Sequence, residues 1–129
     1  MDPRQLGNFG ERIACYYLKE KGYKILDRNY SKDRPLPSKG EIDIVAKRDE
    51  TLSFIEVKTA LFSQSADFLP EDKVNLKKQK KLIKLAQAWL LERKINLESK
   101  WEIDVISIKL NPKTKKAKVR HFKNVISQR

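Results

Sequence analysis

The chain has 129 residues, 40% of them hydrophobic and 36% charged, which suits one folded domain with a modest core. Lysine and arginine outnumber aspartate and glutamate by 29 to 17, and the formal net charge of +12 favours nucleic acids or other polyanions, although a solvated basic surface would look the same. No apolar run approaches the ~20 residues that a bilayer requires, and a lone Cys15 excludes an internal disulfide, so we expect one cytoplasmic domain over residues 1–129.

The first part of the chain predicts a helix, a short strand and a loop. Apolar residues at spacings of three and four predict a helix over residues 4–21, which Gly22 ends. This stripe consists of Leu6, Phe9, Ile13 and Tyr17. A strand is expected over 23–26, and two prolines with four charges predict a loop over 31–39.

The middle of the chain predicts a β-hairpin. Residues 41–47 and 51–58 have the composition of strands, and the polar segment 48–50 between them is short enough for a hairpin turn. Residues 59–72 show neither helical nor strand periodicity and are expected to be irregular.

The second half predicts a long helix followed by two strands. The helix covers about residues 70–94, and its apolar stripe contains Leu82, Leu85, Ala86, Trp89 and Arg93. The strands cover 101–110 and 117–126, with a break at Asn111–Pro112. The alternation of helices and strands predicts an α/β fold in which helices pack on a mixed β-sheet.

Four charged residues lie at the hairpin ends away from the turn. If the turn is centred on residues 49–50, Asp43 lies opposite Glu56, and Glu41 lies opposite Lys58. Paired residues share a face, so these four side chains are expected to form one polar cluster. An odd-length turn would instead put Asp43 and Glu56 on opposite faces.

Both faces of the hairpin are expected to be covered by protein. The face of the polar cluster becomes apolar toward the turn, at Val45, Leu52 and Phe54. The reverse face is apolar throughout, at Ile42, Ile44, Ile55 and Val57. The polar cluster therefore lies against protein rather than in open water.

Opposed carboxylates in such a place repel each other, and a divalent cation removes the repulsion by binding both. Magnesium suits Asp43 and Glu56 because it prefers oxygen ligands and is commonly held by one or two carboxylates. Lys58 could hold or deprotonate an attacking water, or stabilise phosphoryl charge. Metal, water and lysine together predict a site for phosphodiester hydrolysis. The alternative is that Glu41 and Lys58 form a cross-strand ion pair while Asp43 and Glu56 lie on a solvated edge.

Two segments resemble a known family. Gly-Glu-Ile-Asp-Ile-Val-Ala at 40–46 and Phe-Ile-Glu-Val-Lys-Thr at 54–59 resemble the YraN-like family of uncharacterised bacterial proteins. That family is similar to the PD-(D/E)XK nucleases and to archaeal Holliday-junction resolvases. The segments Gly10-Glu11 and Arg28-Asn29-Tyr30 also match its pattern. The resemblance implies a restriction-endonuclease-like fold.

The resemblance also implies roles for individual residues. Asp43 and Glu56 would be ligands of Mg²⁺ or Mn²⁺, and the carbonyl of Val57 a further ligand. Lys58 would be the catalytic lysine, and Glu11 the acid from the first helix that completes the site. The implied activity is metal-dependent endonuclease cleavage of DNA, branched or flapped DNA included, by a homodimer.

Further residues are candidates for supporting roles. Glu41 and the inward-pointing Gln79 are expected to support the site without binding the ion, although capping or a buried hydrogen bond explains Gln79 equally well. His121 is expected to be a plain strand or surface residue. Lysines at the start of the second long helix are candidates for nucleic-acid binding or for a merely solvated face. They are Lys77, Lys78, Lys80, Lys81 and Lys84. The alternative function is a DNA- or RNA-binding module that keeps the nuclease fold without catalysis.

Overall fold

The computed structural model describes residues 2–32, 40–62 and 75–126. Within these ranges the chain forms helices α1 (Pro3–Glu20) and α2 (Leu76–Glu92) and strands β1 (Lys24–Tyr30), β2 (Ile42–Arg48), β3 (Thr51–Leu61), β4 (Trp101–Asn111) and β5 (Lys116–Phe122). The α/β fold expected from the sequence is confirmed.

The strands form one mixed sheet in the order β1-β2-β3-β4-β5. Neighbours are antiparallel except β3 and β4, which are parallel. A parallel pair needs a crossover connection, and α2 lies between these two strands in the chain. An open mixed sheet flanked by helices fits a restriction-endonuclease-like fold.

Each helix packs on its own face of the sheet. Phe54 belongs to the apolar cluster formed with α2, whereas its neighbour Ile55 belongs to the cluster formed with α1. Successive strand residues point to opposite faces, so the two helices cover opposite sides. Trp89 of α2 is 1% exposed and packs edge-on against the Phe54 ring, with centroids 5.6 Å apart. In the described part of the chain, no helix is long and apolar enough to cross a membrane.

Helix α1 begins and ends close to its predicted bounds. The Asp2 side chain accepts a hydrogen bond from the backbone N–H of Gln5 at 2.8 Å, and the Gln5 side chain accepts one from the N–H of Asp2 at 3.0 Å. This reciprocal capping satisfies N–H groups that a helix start leaves free. Gly22 follows the helix at φ +89°, where glycine carries no steric cost, and its predicted position is confirmed.

Gly10 is a point of close approach between α1 and β3. The fully buried positions of α1 are displaced by one residue from the predicted stripe, at Gly10, Ala14, Cys15 and Leu18. A Cβ atom at Gly10 would lie 1.9 Å from Oγ1 of Thr59 and 2.8 Å from its Cβ and Cγ2. Rotation of Thr59 cannot relieve all three contacts, so any side chain at Gly10 must move the helix away from the strand.

We therefore expect Gly10→Ala to lower the free energy of unfolding by about 1–3 kcal/mol, the usual range for overpacking, in urea titrations followed by circular dichroism. Gly7→Ala is the matched control, because a Cβ there meets nothing within 4 Å. The control should equal or slightly exceed the wild type in stability, since alanine favours a helix. Wild-type stability in Gly10→Ala would contradict the close approach.

Helix α2 is shorter than predicted within the described residues. It begins after Asn75, whose side chain accepts a hydrogen bond from the backbone N–H of Lys78 at 2.9 Å. Residues 70–74 of the predicted helix lie outside the described ranges. The predicted stripe is confirmed at Leu82, Leu85, Ala86 and Trp89. Arg93 is instead exposed at the end of the helix, with its guanidinium 4.7 Å from the centroid of the Trp89 ring.

Two strands extend beyond their predicted ends. β1 continues to Tyr30, where it pairs with Ile42 of β2. β3 includes residues 59–61, and the prediction that they are irregular is wrong. The parallel pairing with β4 continues as far as Leu61 and Leu110 and supplies the backbone hydrogen bonds. Strand ends here depend on the neighbouring strand more than on local composition.

The last strand is shorter than predicted. β5 ends at Phe122, and residues 123–126 leave the sheet, with Asn124 at φ +54°. The loop predicted over 31–39 and the irregular segment predicted over 59–72 are only partly described, because residues 33–39 and 63–72 lie outside the described ranges.

A buried polar network ties α1 to β4 and β5. Nε2 of His121 lies 2.8 Å from Oδ2 of Asp104, and Nδ1 lies 3.2 Å from the hydroxyl of Tyr17. The backbone N–H of Asn124 donates to the other oxygen of Asp104 at 2.9 Å. Burial raises the pKa of Asp104, but hydrogen bonds from His121, Glu102 and Asn124 outweigh it and hold the pKa below its ordinary value. The prediction that His121 is a strand residue is confirmed, and its ring is engaged at both nitrogens.

Candidate metal centre

Asp43 lies where the ladder between β2 and β3 ends. The strands pair from Arg48↔Thr51 to Ile44↔Ile55, which confirms the predicted register for these pairs. Beyond them, the carboxylate of Asp43 accepts a hydrogen bond from the backbone N–H of Val57 at 2.7 Å. This charge-assisted bond fixes the orientation of the Asp43 side chain.

The prediction that Ile42 and Ile44 share a face is wrong. Ile42 packs in the cluster of α2, and Ile44 packs in the cluster of α1. A regular strand would put both on one side, so the alternation of β2 breaks between them, at Asp43. The neighbouring strand is irregular at the same level, because Asn29 has a φ of +50°. Asp43 consequently borders the α1 side of the sheet.

Three carboxylates meet on this side. Glu11 of α1, Glu41 just before β2, and Asp43 each place one oxygen so that the three atoms lie within 4.8 Å of one another. All three residues are half-buried. We call this set the acid group. Glu41, which the sequence analysis expects only to support the site, contributes an oxygen to this group together with Glu11 and Asp43.

Cationic and neutral donors surround the acid group. Nη2 of Arg28 lies 3.6 Å from Oε1 of Glu11. Nδ2 of Asn29 donates to Oε1 of Glu11 at 2.9 Å and to Oε1 of Glu41 at 3.2 Å. The sequence analysis gives Asn29 no role. The feature that marks Asn29 is its residue type, because asparagine is a polar residue that tolerates positive φ and here it lies inside a strand.

Asp43 has a strongly perturbed acidity. Its pKa is raised from the ordinary 3.8 to about 7. Burial is the largest cause, and the charges of Glu11, Glu56 and Glu41 act in the same direction, whereas the hydrogen bond from Val57 lowers the pKa. Near neutral pH this carboxyl group is therefore partly protonated and partly ionised. A bound cation would stabilise the charged form.

Glu56 is buried on the α2 side and is neutralised by two lysines. The residue is 8% exposed. Its Oε1 forms ion pairs with Nζ of Lys58, at 3.5 Å, and with Nζ of Lys78. Its Oε2 has no hydrogen-bond partner among the described residues. A buried carboxylate oxygen without a donor is costly, which points to a ligand that this atom would bind.

Glu56 and Asp43 do not share the single polar face that the sequence analysis expects. Glu56 alternates with Ile55 of the α1 cluster and contacts Lys78 of α2, whereas Asp43 groups with Glu11. Glu56 is outside the acid group, yet its charge contributes to the raised pKa of Asp43. The two carboxylates therefore approach the end of the β2–β3 ladder from opposite sides.

The surroundings of Lys58 lower its pKa. Burial lowers its pKa and the neighbouring Lys78 lowers it further, although Glu56 acts in the opposite direction. A lysine with a depressed pKa gives up or shares a proton more readily than a solvated one. Lys58 can thus serve as a base or as a cation beside a phosphate.

A cavity of about 450 Å³ opens beside the acid group. Glu11 and Asp43 line it together with Val57 and Thr59 of β3. Val57, whose carbonyl is expected to be a further ligand, therefore borders the space next to the two carboxylates. The cavity leaves room for an ion, its water and part of a substrate.

The lysines at the start of α2 divide into two kinds. Lys78 is half-buried and turned toward Glu56, which the sequence analysis does not foresee. Gln79 is half-buried as well, as its inward position predicts. The other lysines of the set are exposed: Lys77, Lys80, Lys81 and Lys84. These four lysines are accessible to partners in solution.

The donor set fits a hard divalent cation. It offers three carboxylate oxygens from the acid group, and Val57, whose carbonyl is a further oxygen, borders the adjoining cavity. Mg²⁺ and Mn²⁺ favour such ligands, and the described residues around the acid group include no cysteine or histidine close enough to join it.

Comparison with known proteins gives a consistent family assignment. The model of the uncharacterised protein family UPF0102 matches residues 10–108, a range that includes every residue of the acid group, Glu56 and both lysines. A UPF0102 protein of Alkaliphilus oremlandii is 41% identical over 123 residues, which are 94% of this chain and 97% of the relative. One from Caldanaerobacter subterraneus subsp. tengcongensis is 36% identical over 126 residues, 96% of each chain. One from Chlorobium phaeobacteroides is 45% identical over 89 residues, 69% of this chain and 65% of the relative.

Proposed function

This chain belongs to the uncharacterised protein family UPF0102, the YraN-like family that its sequence resembles, and on that premise we propose that it is a metal-dependent endonuclease that hydrolyses DNA phosphodiester bonds. The observation that carries the proposal is the acid group, three oxygens within 4.8 Å of one another beside a buried glutamate and two lysines. The net charge of +12 supports a polyanionic substrate.

Each residue has a distinct task in this proposal. Asp43 would hold Mg²⁺ or Mn²⁺ together with Glu11 and Glu41, with Oε2 of Glu56 and the carbonyl of Val57 as further ligands. The ion, when bound, would polarise a phosphoryl oxygen and lower the pKa of a water.

The two lysines would have different tasks. Lys58, with its lowered pKa, would take a proton from the attacking water or stabilise charge on the phosphate. Lys78 would share the neutralisation of Glu56 with Lys58.

The proposed contacts with DNA follow from the surface charge. The exposed lysines at the start of α2 would contact the phosphate backbone without reading the sequence. Branched or flapped DNA is the proposed substrate class, in line with the resolvase resemblance. Cutting both strands of a duplex calls for two active sites, so a homodimer is part of the proposal.

Calorimetry with MgCl₂ or MnCl₂, alongside cleavage assays on duplex, flap, four-way-junction and single-stranded DNA, tests this function. We expect ion binding and cleavage that stops when EDTA is added. An intact panel of DNA substrates together with absence of ion binding would contradict the proposal.

The second candidate is a DNA- or RNA-binding module without turnover. The pairing of Glu56 with two lysines favours it, because that carboxylate is compensated without an ion. Binding of the same substrates with no cut under any ion condition would support this module over the nuclease.

A further inference from the structure

Asn29 occupies a conformation that few side chains adopt inside a strand. It has a φ of +50° within β1. For residues other than glycine this left-handed region carries a steric penalty, which asparagine bears better than most. A non-glycine residue held there indicates that its surroundings impose the conformation, and such positions cluster at functional sites.

The positive φ changes which way the flanking residues point. Tyr30 packs in the cluster of α2, whereas Arg28 reaches Glu11 of α1. In a regular strand these two residues would share a face. The turn of the backbone at Asn29 therefore lets Tyr30 fill the core on the α2 side while Arg28 reaches the acid group.

The side chain of Asn29 bridges two acids from distant parts of the chain. Its Nδ2 donates to Glu11 at 2.9 Å and to Glu41 at 3.2 Å. An amide nitrogen carries two hydrogens, so it can satisfy both carboxylates at once. The amide of Asn29 adds no positive charge. It therefore reduces the repulsion between the two carboxylates without competing with a cation for them, whereas the guanidinium of Arg28 does compete.

We propose that Asn29 is a positioning residue, which gathers Glu11 and Glu41 around Asp43 and so assembles the divalent-cation site. This inference rests on the ion of the proposed function. A second observation outside the acid group supports the cation site. Oε2 of Glu56 is buried and has no hydrogen-bond partner among the described residues. The Glu56 side chain is 10% exposed, and its charge contributes to the raised pKa of Asp43. Asn29 acts through the carboxylates and does not itself touch the ion.

Asn29→Gly removes the amide and keeps a residue that accepts positive φ. In calorimetric titrations with MnCl₂ alone and with MgCl₂ alone, we expect the Kd to rise by about 10–100-fold, the usual effect of losing a group that orients metal ligands. Thermal unfolding in EDTA should remain cooperative, at a temperature somewhat below that of the control described next, because two hydrogen bonds to carboxylates are lost. Asn124→Gly is that matched control, because Asn124 also has positive φ, +54°, and contacts Asp104 only through its backbone N–H.

A double-mutant cycle with Glu41→Gln separates positioning from a general disturbance. Because Asn29 works through Glu41 and Glu11, Asn29→Gly should weaken Mn²⁺ binding less in the Glu41→Gln background than in the wild type. A merely structural role for Asn29 would give the same loss in both backgrounds and would overturn the proposal.

The outcomes separate this inference from the nuclease function. Equal Mn²⁺ affinity of Asn29→Gly and the wild type overturns the role of Asn29 and leaves the nuclease standing. Binding of Mn²⁺ that weakens in Asn29→Gly, with no cleavage of any DNA by the wild type, keeps the role of Asn29 and removes the nuclease. A wild type that binds neither ion overturns both.

Discussion

Asp43→Asn is expected to reduce ion-dependent DNA cleavage by on the order of 10³-fold or more while the fold stays intact. The amide oxygen of asparagine can still accept the hydrogen bond that the backbone N–H of Val57 donates at 2.7 Å. What the variant loses is the negative charge that would hold the cation between Asp43 and Glu11. Initial cleavage rates at saturating MnCl₂, with circular dichroism for the fold, provide the measurement.

Glu50→Gln is the matched control for the loss of an acidic charge. Glu50 lies in the exposed turn between β2 and β3, at the opposite end of the hairpin, and the variant should cleave like the wild type. Glu56→Ala and Lys58→Ala should resemble Asp43→Asn in activity, because the first removes a proposed ligand and the second removes the cation proposed to act beside the phosphate. Full activity in the variants of all three positions would remove this mechanism.

The ion-free protein is expected to lose stability as the pH rises through the range from about 4 to 7. The pKa of Asp43 is about 7 in the folded chain against the ordinary 3.8, because burial and acidic neighbours disfavour its charge. The folded state therefore holds the proton more tightly than the unfolded state. The resulting stabilisation is fully present below the lower value and is lost as the pH passes the higher one.

This loss corresponds to on the order of 4 kcal/mol, at 1.36 kcal/mol for each unit of pKa difference. Urea unfolding at pH 5, 6, 7 and 8 in EDTA, for the wild type and Asp43→Asn, isolates the contribution of Asp43, because the variant lacks this ionisation. The stability advantage of the wild type over the variant should shrink steadily from pH 5 to 7. Saturating MnCl₂ should cancel that trend, since the cation binds the charged form. Parallel pH curves in EDTA would show that the acidity of Asp43 is ordinary.

Local signals in the sequence determine much of the fold. The apolar stripe at Leu82, Leu85, Ala86 and Trp89 predicts the buried face of α2, and Gly22 predicts the end of α1. The register of the hairpin follows from its two-residue turn, since a short turn and the alternation of apolar residues leave few ways to pair. These features depend on residues that are close in sequence, where spacing alone specifies geometry.

The acid group depends on contacts that spacing cannot specify. The sequence analysis expects Glu41, Asp43, Glu56 and Lys58 on one face, and it gives Glu41 only a supporting role. The positive φ of Asn29 and the break in alternation at Asp43 instead bring Glu11 and Glu41 to Asp43 and leave Glu56 with Lys58 and Lys78. An irregularity of one residue reverses the face of a side chain, and here it appears in two neighbouring strands at once.

The sequence by itself therefore determined the elements of the α/β fold, the pairing of β2 with β3 and the residue types of the candidate centre. Only the tertiary structure decided which carboxylates meet, because Glu11, Asn29 and Glu41 come from separate elements whose approach is set by packing against the sheet. It likewise decided that Lys78 turns inward to Glu56 while its lysine neighbours face solvent. The physical reason is that helical and strand periods are local properties, whereas the burial of a charge depends on the partner that compensates it.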